Sequence, residues 1–352
     1  MRAQCILWIM LSFRGERSLS AVYHLLQGKR SIQTIYDAHL FQLQRYFGLF
    51  PQLSRNILDN HLQVLEQQGY IQMKENDYTL TEKGHTYTMS WRLAHPYIDT
   101  IDNWRFGHLE RTFWQRLVLL CQSLSHLALH KSFVPIVQTF SVQRFVKGYI
   151  RSSSKTVDDL CKQLYEECFT LLSQVATLQA ELFVRQLSSA HHIGATLEQL
   201  AHLYGKPVDE LFVRHKSTCH FILKHVLANK HEYPSLSRLI TEEDMQLPMA
   251  TSTEKTAELL EKGLSIREVA HQRRLKVTTI EDHVVALALL NASFPIDCYV
   301  VREKQEQILR VSELEKTLKL KTIRQALNEK VSYFEIRLAL TRKEGHSCSH
   351  EL

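Results

Sequence analysis

The segment Thr253–Leu290, TEKTAELLEKGLSIREVAHQRRLKVTTIEDHVVALALL, decides the fold of this chain. Ser265 with Glu268, and Thr278 with Glu281, have the Ser/Thr-x-x-Glu spacing of a capping box, which predicts two helix starts. Apolar residues at helical spacing give each helix one buried face: Ile266, Val269 and Ala270 in the first, and Ile280, Val284 and Leu287 in the second. The segment therefore predicts a helix-turn-helix.

This helix pair suits nucleic-acid binding, but helical hairpins and protein-docking modules have the same shape. Six basic and six acidic residues between Glu254 and Asp282 cancel, and Glu281 and Asp282 would repel phosphates near the presumed groove-facing end. The candidate DNA contacts lie in the turn and at the start of the second helix: Arg273, Arg274, Lys276, Thr278 and Thr279. The unit is thus expected to bind the DNA backbone weakly or to bind protein.

The composition favours a mainly helical protein of two or three domains. The 352 residues are 44% hydrophobic with only 11 Gly and 7 Pro, which argues against a sheet-rich or loop-rich enzyme. The net charge of +6 permits a polyanionic partner without requiring one. Seven scattered cysteines, none in Cys-x-x-Cys spacing, fit free thiols in a reducing cytoplasm. The apolar segment Cys5–Phe13 is too short to span a bilayer and predicts a core helix or strand.

Leu19–Tyr87 has the layout of a winged helix. Apolar periodicity and breaking residues predict three helices, at about 19–28, 32–43 and 53–68. Two short strands, Tyr70–Met73 and Tyr78–Thr81, follow with a polar turn between them. The run LEQQGYIQMKENDYTLTEKG resembles the order of helix, glycine, strand, wing and strand in winged-helix DNA-binding proteins.

The third helix of a winged helix normally enters the major groove. Its early polar residues are the candidate base contacts, namely Ser54, Arg55, Asn56, Asn60 and Gln63. Arginine can bind guanine through two hydrogen bonds, and asparagine or glutamine can bind adenine in the same way. Lys29 and Arg30, before the second helix, suit phosphates. The wing is less suited, because Glu75 and Asp77 offset Lys74.

Residues 91–145 are rich in aromatic and basic side chains. Between Ile101 and Ser152 seven Lys and Arg accompany two acids. Aromatic rings beside arginines can stack bases or grip phosphates, but a buried aromatic face with a solvated basic rim explains the same pattern, and we favour it. Arg151–Lys155, RSSSK, is the best linker candidate. Residues 156–188 predict a long amphipathic helix, continuous or interrupted, that serves as a spacer or a dimer contact.

Two further segments resemble the helix pair at 253–290. Thr196–Val213 opens with Thr-x-x-Gln, a helix start. In Ser312–Leu340, helix starts are predicted at Ser312 and at Ser332, each followed by Glu three residues later. The three segments follow no fixed period, so a solenoid is not predicted.

The sequence has no motif for catalysis or cofactor binding. A phosphate loop, a dinucleotide fingerprint, a nucleophile elbow and a His-Glu-x-x-His motif are all absent. His346, Cys348 and His350 in the polar tail lack a fourth metal ligand nearby in sequence. We therefore expect no enzymatic activity, no cofactor and no metal.

The run GLSIREVAHQRRLKVTTIEDHV is similar to the helicase helix-turn-helix domain at the C-terminus of some RecQ-family DNA helicases. The residues that match that domain's pattern are Gly263, Ser265, Ala270, Arg273, Leu275, Thr279, Ile280 and His283, with Val269 in place of isoleucine. The layout of the whole chain resembles a Firmicutes family of helix-turn-helix proteins whose gene commonly lies beside that of a RecQ-type helicase. The resemblance implies an accessory role beside a helicase.

The sequence thus predicts a cytoplasmic, mainly α protein with a winged-helix domain at 1–90, a helical middle domain at 91–250, a helicase-type helix-turn-helix domain at 251–344 and a flexible tail at 345–352. The predicted function is that of a non-catalytic accessory protein of a RecQ-like helicase in repair or recombination, acting on duplex, forked or single-stranded DNA. A transcription regulator that reads an operator with Arg55, Asn56 and Asn60, and a pure protein-interaction scaffold, are the alternatives.

Overall fold

A computed structural model describes residues 1–74, 77–245 and 251–343, and these residues are mainly helical, as predicted. Two short strands, β1 (Ile71–Lys74) and β2 (Asp77–Leu80), form an antiparallel hairpin. The α-helices of the described residues are α1 (Arg2–Phe13), α2 (Leu19–Gln27), α3 (Ile32–Leu40), α4 (Arg55–Gln67), α5 (Glu82–Ala94), α6 (Asn103–Phe106), α7 (Glu110–Ala128), α8 (Phe140–Arg151), α9 (Val157–Leu172), α10 (Thr177–Arg185), α11 (Leu197–Tyr204), α12 (Val208–Ala228), α13 (Pro234–Ser237), α14 (Glu242–Met245), α15 (Thr251–Glu261), α16 (Ile266–Arg273), α17 (Val277–Leu290), α18 (Arg302–Leu314), α19 (Leu320–Ala326) and α20 (Tyr333–Leu340).

The chain folds into two compact units. The middle unit consists of residues 1–4 and 89–247, and the terminal unit consists of residues 5–88 and 248–352. The terminal unit therefore combines the predicted winged helix with the predicted C-terminal helix-turn-helix segment. The division at 90, 250 and 344 that the sequence suggested stays a prediction. No helix within the described residues has both the length and the apolar character that a bilayer span requires.

The N-terminal part of the terminal unit has the winged-helix order α2, α3, α4, β1, β2. Gly28 ends α2 at a φ of 76°, and a Cβ there would lie 2.7 Å from the Cα of Gly48, so only glycine fits. The side chains of Ser31 and Ser54 cap α3 and α4 by accepting hydrogen bonds from backbone amides. These local signals place the three helices where the sequence predicts them.

Thr81 and Gly84, at the end of the wing, hold the hairpin against the helices. The hydroxyl of Thr81 donates to the carbonyl of Gly69 across 2.7 Å and accepts from the amide of Gly84 across 3.0 Å. A Cβ on Gly84 would lie 2.0 Å from the carbonyl oxygen of Tyr70. The start of α5 is therefore pressed against the backbone after α4, which fixes the hairpin to the helices.

Capping boxes mark two of the four predicted helix starts in the C-terminal segment. Ser265 and Glu268 form one at α16, and Ser332 forms another with Glu335 at α20. The capping box predicted at Thr278 is wrong, although a helix begins within one residue of that position, and the helix start predicted at Ser312 is wrong. Helix α17 begins at Val277 without a side-chain cap, and Ser312 is buried inside α18, where its hydroxyl donates to the carbonyl of Thr317 across 2.8 Å.

Helix α17 is the centre of the terminal unit. Its buried residues lie on all sides of the helix: Ile280, His283, Val284, Val285, Ala286, Ala288 and Leu289. One hydrophobic cluster joins four of them, Val284, Val285, Ala288 and Leu289, to Tyr36 and Leu40 of α3 and to Ile336 and Ala339 of α20. The hydroxyl of Tyr36 donates to the carbonyl of Arg337 across 3.3 Å. A helix that is apolar all round has to be surrounded by protein, and here α3, α15, α16 and α20 surround it.

The middle unit is built around α7, α9 and α12, and the aromatic residues predicted to be buried belong to its core. Phe106 and Phe113 are buried, and Trp114 packs edge-on against Phe183 with ring centroids 4.9 Å apart. The predicted linker RSSSK connects α8 to α9, whose residues share one hydrophobic core, so it is a loop inside this unit. The predicted long helix at 156–188 is interrupted between α9 and α10.

Candidate nucleic-acid interface

Helix α4 presents one polar face to solvent and one apolar face to the core. Leu58, Leu62 and Leu65 are buried. The five predicted base contacts are all exposed: Ser54, Arg55, Asn56, Asn60 and Gln63. Since Ser54 uses its hydroxyl to cap the helix, the face available to a base edge consists mainly of Arg55, Asn56, Asn60 and Gln63.

The guanidinium of Arg55 is held by a weak partner. Its Nε lies 3.1 Å from Oδ1 of Asp59, one turn further along α4, and both side chains are 47% exposed. Exposed ion pairs of this kind contribute about 0–1 kcal/mol. Arg55 can therefore exchange Asp59 for a base or a phosphate at small cost.

His24 on α2 joins this surface, although the sequence did not single it out. Lys29 Nζ lies 3.5 Å from its Nε2. Burial lowers the pKa of His24, and the charges of Lys29 and Arg55 lower it further. The charges of Lys29 and Arg55 both act on the imidazole of His24. The connection after α2 therefore lies beside the first turn of α4. Arg30 is exposed in the same connection. The sequence signal was available, since His24 lies five residues before Lys29, but a lone histidine in a helix is not distinctive.

The wing adds no net positive charge among its described residues. Lys74 lies opposite Asp77 in the hairpin register. Glu75 and Asn76, predicted as the tip of the wing, lie outside the described residues. The basic surface of the winged helix is therefore supplied by Lys29, Arg30 and Arg55.

Arg273, a predicted phosphate contact, is held inside the terminal unit. Its guanidinium donates to the carbonyl of Ser252 across 2.5 Å, to the hydroxyl of Ser252 across 2.8 Å and to the hydroxyl of Thr256. Thr256 also bonds Nδ1 of His283 across 2.7 Å. Burial, followed by the charge of Arg273, lowers the pKa of His283, which favours its neutral form. We therefore reassign Arg273 to the packing of α15, α16 and α17.

The other predicted contacts of this unit surround the start of α17. Arg274 ends α16 with a φ of 52°, and Lys276 occupies the position before α17. Both are exposed, as is Thr278, and Thr279 is half-buried. The unit thus offers two cations and a helix N-terminus to a phosphate, while the rest of α17 is enclosed.

The two carboxylates at the start of α17 have interactions within the terminal unit that the sequence did not indicate. Nη1 of Arg337, on α20, donates to Oδ1 of Asp282 across 2.6 Å. Burial and the neighbouring Asp282 raise the pKa of Glu281 above its usual value. Asp282 serves mainly to attach α20 to α17.

The middle unit contains an arrangement that resembles a catalytic triad. Sγ of Cys219 lies 3.4 Å from Nε2 of His215, and Nε2 of Gln186 lies 2.9 Å from Nδ1 of the same histidine. Burial raises the pKa of the Cys219 thiol well above its usual value and lowers that of His215 to about 4. A nucleophilic cysteine requires the opposite shifts. These residues therefore form a neutral, buried packing contact.

Within the described residues, no three potential ligands are grouped so as to hold a metal ion. The tail residues His346, Cys348 and His350 lie outside the described part of the chain.

Comparison with known proteins supports the helix-turn-helix assignment. The profile of a helix-turn-helix domain family matches residues 252–340. Protein YpbB of Bacillus subtilis (strain 168) is 33% identical over 341 residues, which is 96% of each chain. A search of the solved structures found no match. The matched domain begins at α15 and ends with α20, and it indicates a DNA-binding role.

Proposed function

This chain belongs to the YpbB family, and we propose that it is a non-catalytic, cytoplasmic, DNA-binding accessory protein of a RecQ-like DNA helicase in repair or recombination. The winged helix supplies the DNA-reading surface. The C-terminal helix-turn-helix domain supports that surface from behind and adds a weak backbone contact at Arg274 and Lys276.

The observation that carries this proposal is the difference between the two candidate recognition helices. Helix α4 exposes Arg55, Asn56, Asn60 and Gln63 along one face. Helix α17 has no exposed residue after Thr278, since its later residues are buried or half-buried. A recognition helix reads bases with side chains that reach into the groove, and only α4 has such side chains free along its length.

The helicase link rests on the resemblance of residues 263–283 to the helicase helix-turn-helix domain, and the structure explains the matching residues as fold determinants. Gly263 has a φ of 85°, and Ser265 caps α16. Ala270, Ile280 and His283 are buried. The resemblance therefore supports a common domain architecture, whose exposed surface is free to serve a partner protein.

Substitution of Arg55 and Asn60 by alanine tests the DNA-reading surface. We expect the Arg55→Ala/Asn60→Ala variant to lose about 1–3 kcal/mol of binding free energy for each base-edge contact removed. The matched control is Gln67→Ala/Gln68→Ala, which truncates two exposed side chains at the other end of α4. Fluorescence anisotropy with labelled duplex and forked DNA measures both. A folded double variant with unchanged affinity rules this surface out.

The helicase link is tested by purification of the untagged protein from native extract and identification of the associated proteins. We expect a RecQ-like helicase among them, and stronger binding to forks or single strands than to duplex. Binding of one duplex about 10³-fold tighter than random DNA supports a transcription regulator instead.

The scaffold alternative has its own structural support in the middle unit. An apolar groove of about 840 Å³ lies between α7, α9 and α10, and it is lined by Tyr165, Phe169 and Val184, which are more than half exposed. Exposed apolar surface of this kind is typical of protein-docking sites. A protein that binds partners there but binds no DNA at low salt supports this alternative and contradicts the proposal.

A further inference from the structure

We propose that the middle unit carries a second nucleic-acid site, a groove beside α8 that binds the phosphodiester backbone without regard to sequence. This site goes beyond the proposed function, because it belongs to a different unit from α4 and requires no base reading.

The groove has a volume of about 620 Å³. On one side it is lined by residues of α8 and the turn after it, namely Ser141, Arg144, Gly148 and Ser152. On the other side it is lined by Arg238, Thr241 and Glu243. A Cβ added at Gly148 would meet no atom within 4 Å, so the missing side chain leaves the groove open.

Two arginines of the groove are held in fixed positions over aromatic rings. The guanidinium of Arg116 lies 3.9 Å from the ring centroid of Phe145, and that of Arg238 lies 4.1 Å from the centroid of Tyr149. Arg238 also donates to the hydroxyl of Ser152 across 3.1 Å. Since guanidinium groups cover these faces, the rings position cations rather than stack bases. Since Arg116 is paired with Asp244, Arg238 is the ring-held cation that the groove offers to a phosphate.

Three further cations extend the groove along the surface of α8. Arg144, Lys147 and Arg151 are exposed and follow one another three and four residues apart, so they share one helical face. The rise of 1.5 Å per residue places the first and last about 10.5 Å apart along the axis. Phosphates of one DNA strand follow at about 3.4 Å along the duplex axis, so a row of this length spans about three of them when α8 lies parallel to that axis.

The charge of this region has little opposition within its own sequence. Residues 111–157 contain seven Lys and Arg and no Asp or Glu. Asp244, close to the groove, is already paired with Arg116. Burial alone would raise the pKa of Asp244, but the hydrogen bond from Arg116 holds that pKa below its usual value. Glu243 is the single acid among the residues that line the groove in the described chain. The surface thus attracts a polyanion.

Nucleic acid fits this surface better than a membrane does. A helix that lies on a membrane inserts an apolar face into it. The apolar face of α8 contains Val142, Val146 and Tyr149, which are buried against the rest of the middle unit. The exposed face of α8 carries Arg144, Lys147 and Arg151, and its one large apolar side chain among the described residues is Phe140, which is 74% exposed in the first turn. One apolar side chain is not the continuous apolar face that inserts into a membrane.

The first test replaces Arg144, Lys147 and Arg151 with glutamine in the full chain. Anisotropy with a random single strand and a random duplex, at several salt concentrations, measures the affinity. We expect at least about a tenfold loss at low salt. We also expect the slope of log affinity against log salt to become shallower by about 2, or 0.7–0.9 for each lost phosphate contact. The single strand and the duplex show which backbone the groove prefers.

The matched control replaces Lys162, Lys224 and Lys230 with glutamine, which changes the net charge equally at exposed positions that do not line the groove. Equal losses in the two triple variants would overturn the proposal, since a general charge effect would explain both. No loss in either would overturn it as well. Arg55→Ala/Asn60→Ala removes base contacts of α4 and leaves Arg144, Lys147 and Arg151 in place. The groove can therefore be tested even if the double variant shows that α4 does not bind DNA.

The second test fills the groove with Gly148→Leu, which leaves the charge unchanged. Leucine is favoured over glycine inside a helix by up to about 1 kcal/mol, so the variant should melt no lower than the wild type. We expect it to bind the single strand or the duplex several-fold more weakly. Unchanged binding of both contradicts the proposed groove. Vesicles of phosphatidylserine are the second ligand, and preferential loss of vesicle binding in the triple variant would assign the surface to a membrane and overturn the proposal.

Discussion

Arg337 of α20 donates a hydrogen bond to Asp282 of α17 across 2.6 Å, and the guanidinium of the same arginine lies 5.4 Å from the ring centroid of Tyr36 of α3. One side chain therefore connects the two halves of the terminal unit, which come from opposite ends of the sequence. The side chain of Arg337 is only 16% exposed, while that of Asp282 is 39% exposed. The carboxylate of Asp282, which the sequence singled out as a group that would repel phosphates, therefore has a second role in attaching α20 to α17.

We expect Arg337→Gln and Asp282→Asn to destabilise the protein non-additively. The pair is only partly shielded from solvent, so the coupling should be about 1 kcal/mol. Urea unfolding of the wild type, the two single variants and the double variant at pH 7 measures it. Strictly additive changes would show that the 2.6 Å contact adds nothing to the stability of the terminal unit.

Gly84→Ala should destabilise the terminal unit by about 1–3 kcal/mol or more, because the new methyl group would lie 2.0 Å from the carbonyl oxygen of Tyr70 and that oxygen belongs to the backbone. The control is the same substitution at Gly148, which has open space around it and should stabilise α8 by up to about 1 kcal/mol. Thermal melts of both variants show whether each substitution raises or lowers the stability. A Gly84→Ala protein that melts with the wild type would mean that α5 does not press on the wing.

The comparison of these elements with the sequence shows what local patterns can and cannot determine. The Ser/Thr-x-x-Glu spacing located α16 and α20, because Ser265 and Ser332 bond only to neighbours within their own turn. The same spacing at Ser312 was misleading, because burial and the carbonyl of Thr317 hold that serine inside a helix. The winged helix was predictable for a similar reason, since its serine caps and glycine turns are local.

Long-range partners explain what the sequence did not predict. Arg273 lies in a polar, basic turn and was expected to be solvated, yet its partners Ser252 and Thr256 lie about 20 residues earlier on another helix. The packing of α3 against α17 joins residues such as Leu40 and Val285, and no periodicity connects such distant segments.

We expect DNA binding to strengthen as the pH falls, through His24. Burial, followed by the charges of Lys29 and Arg55, lowers the pKa of His24 in the free protein. A phosphate beside these cations would favour the protonated form, so the pKa of His24 in the complex would be higher than in the free protein. The complex would then bind more protons, and affinity would rise as the pH falls through the interval between the two pKa values, about tenfold for each unit of difference.

Anisotropy between pH 5.5 and 8 checks this dependence. His24→Gln should remove it, while His231→Gln, at an exposed histidine of the middle unit, should retain it. A pH dependence that survives in the His24 variant would assign the proton to another group.

Arg273 and Arg274 are adjacent in the sequence, but we expect their substitution to have different effects. Arg273→Gln should destabilise the terminal unit by about 1.5–3 kcal/mol, because it removes charged hydrogen bonds to Ser252 and Thr256 in a partly buried place. Arg274→Gln/Lys276→Gln should leave stability within about 0.5 kcal/mol, since both side chains are exposed. If the start of α17 binds phosphates, the double variant should lower DNA affinity equally for all sequences and reduce the salt slope by as much as about 2.

Arg273→Gln reports on the stability of the terminal unit, and the double variant reports on contacts with DNA or with a partner protein. If the domain docks a protein through this surface, the salt slope of the double variant should stay unchanged while its helicase partner no longer purifies with it. A double variant that keeps its stability, its salt slope and its helicase partner would contradict both roles. Arg274 and Lys276 would then be solvated charges, and α16 and α17 would act only by holding the winged helix from behind.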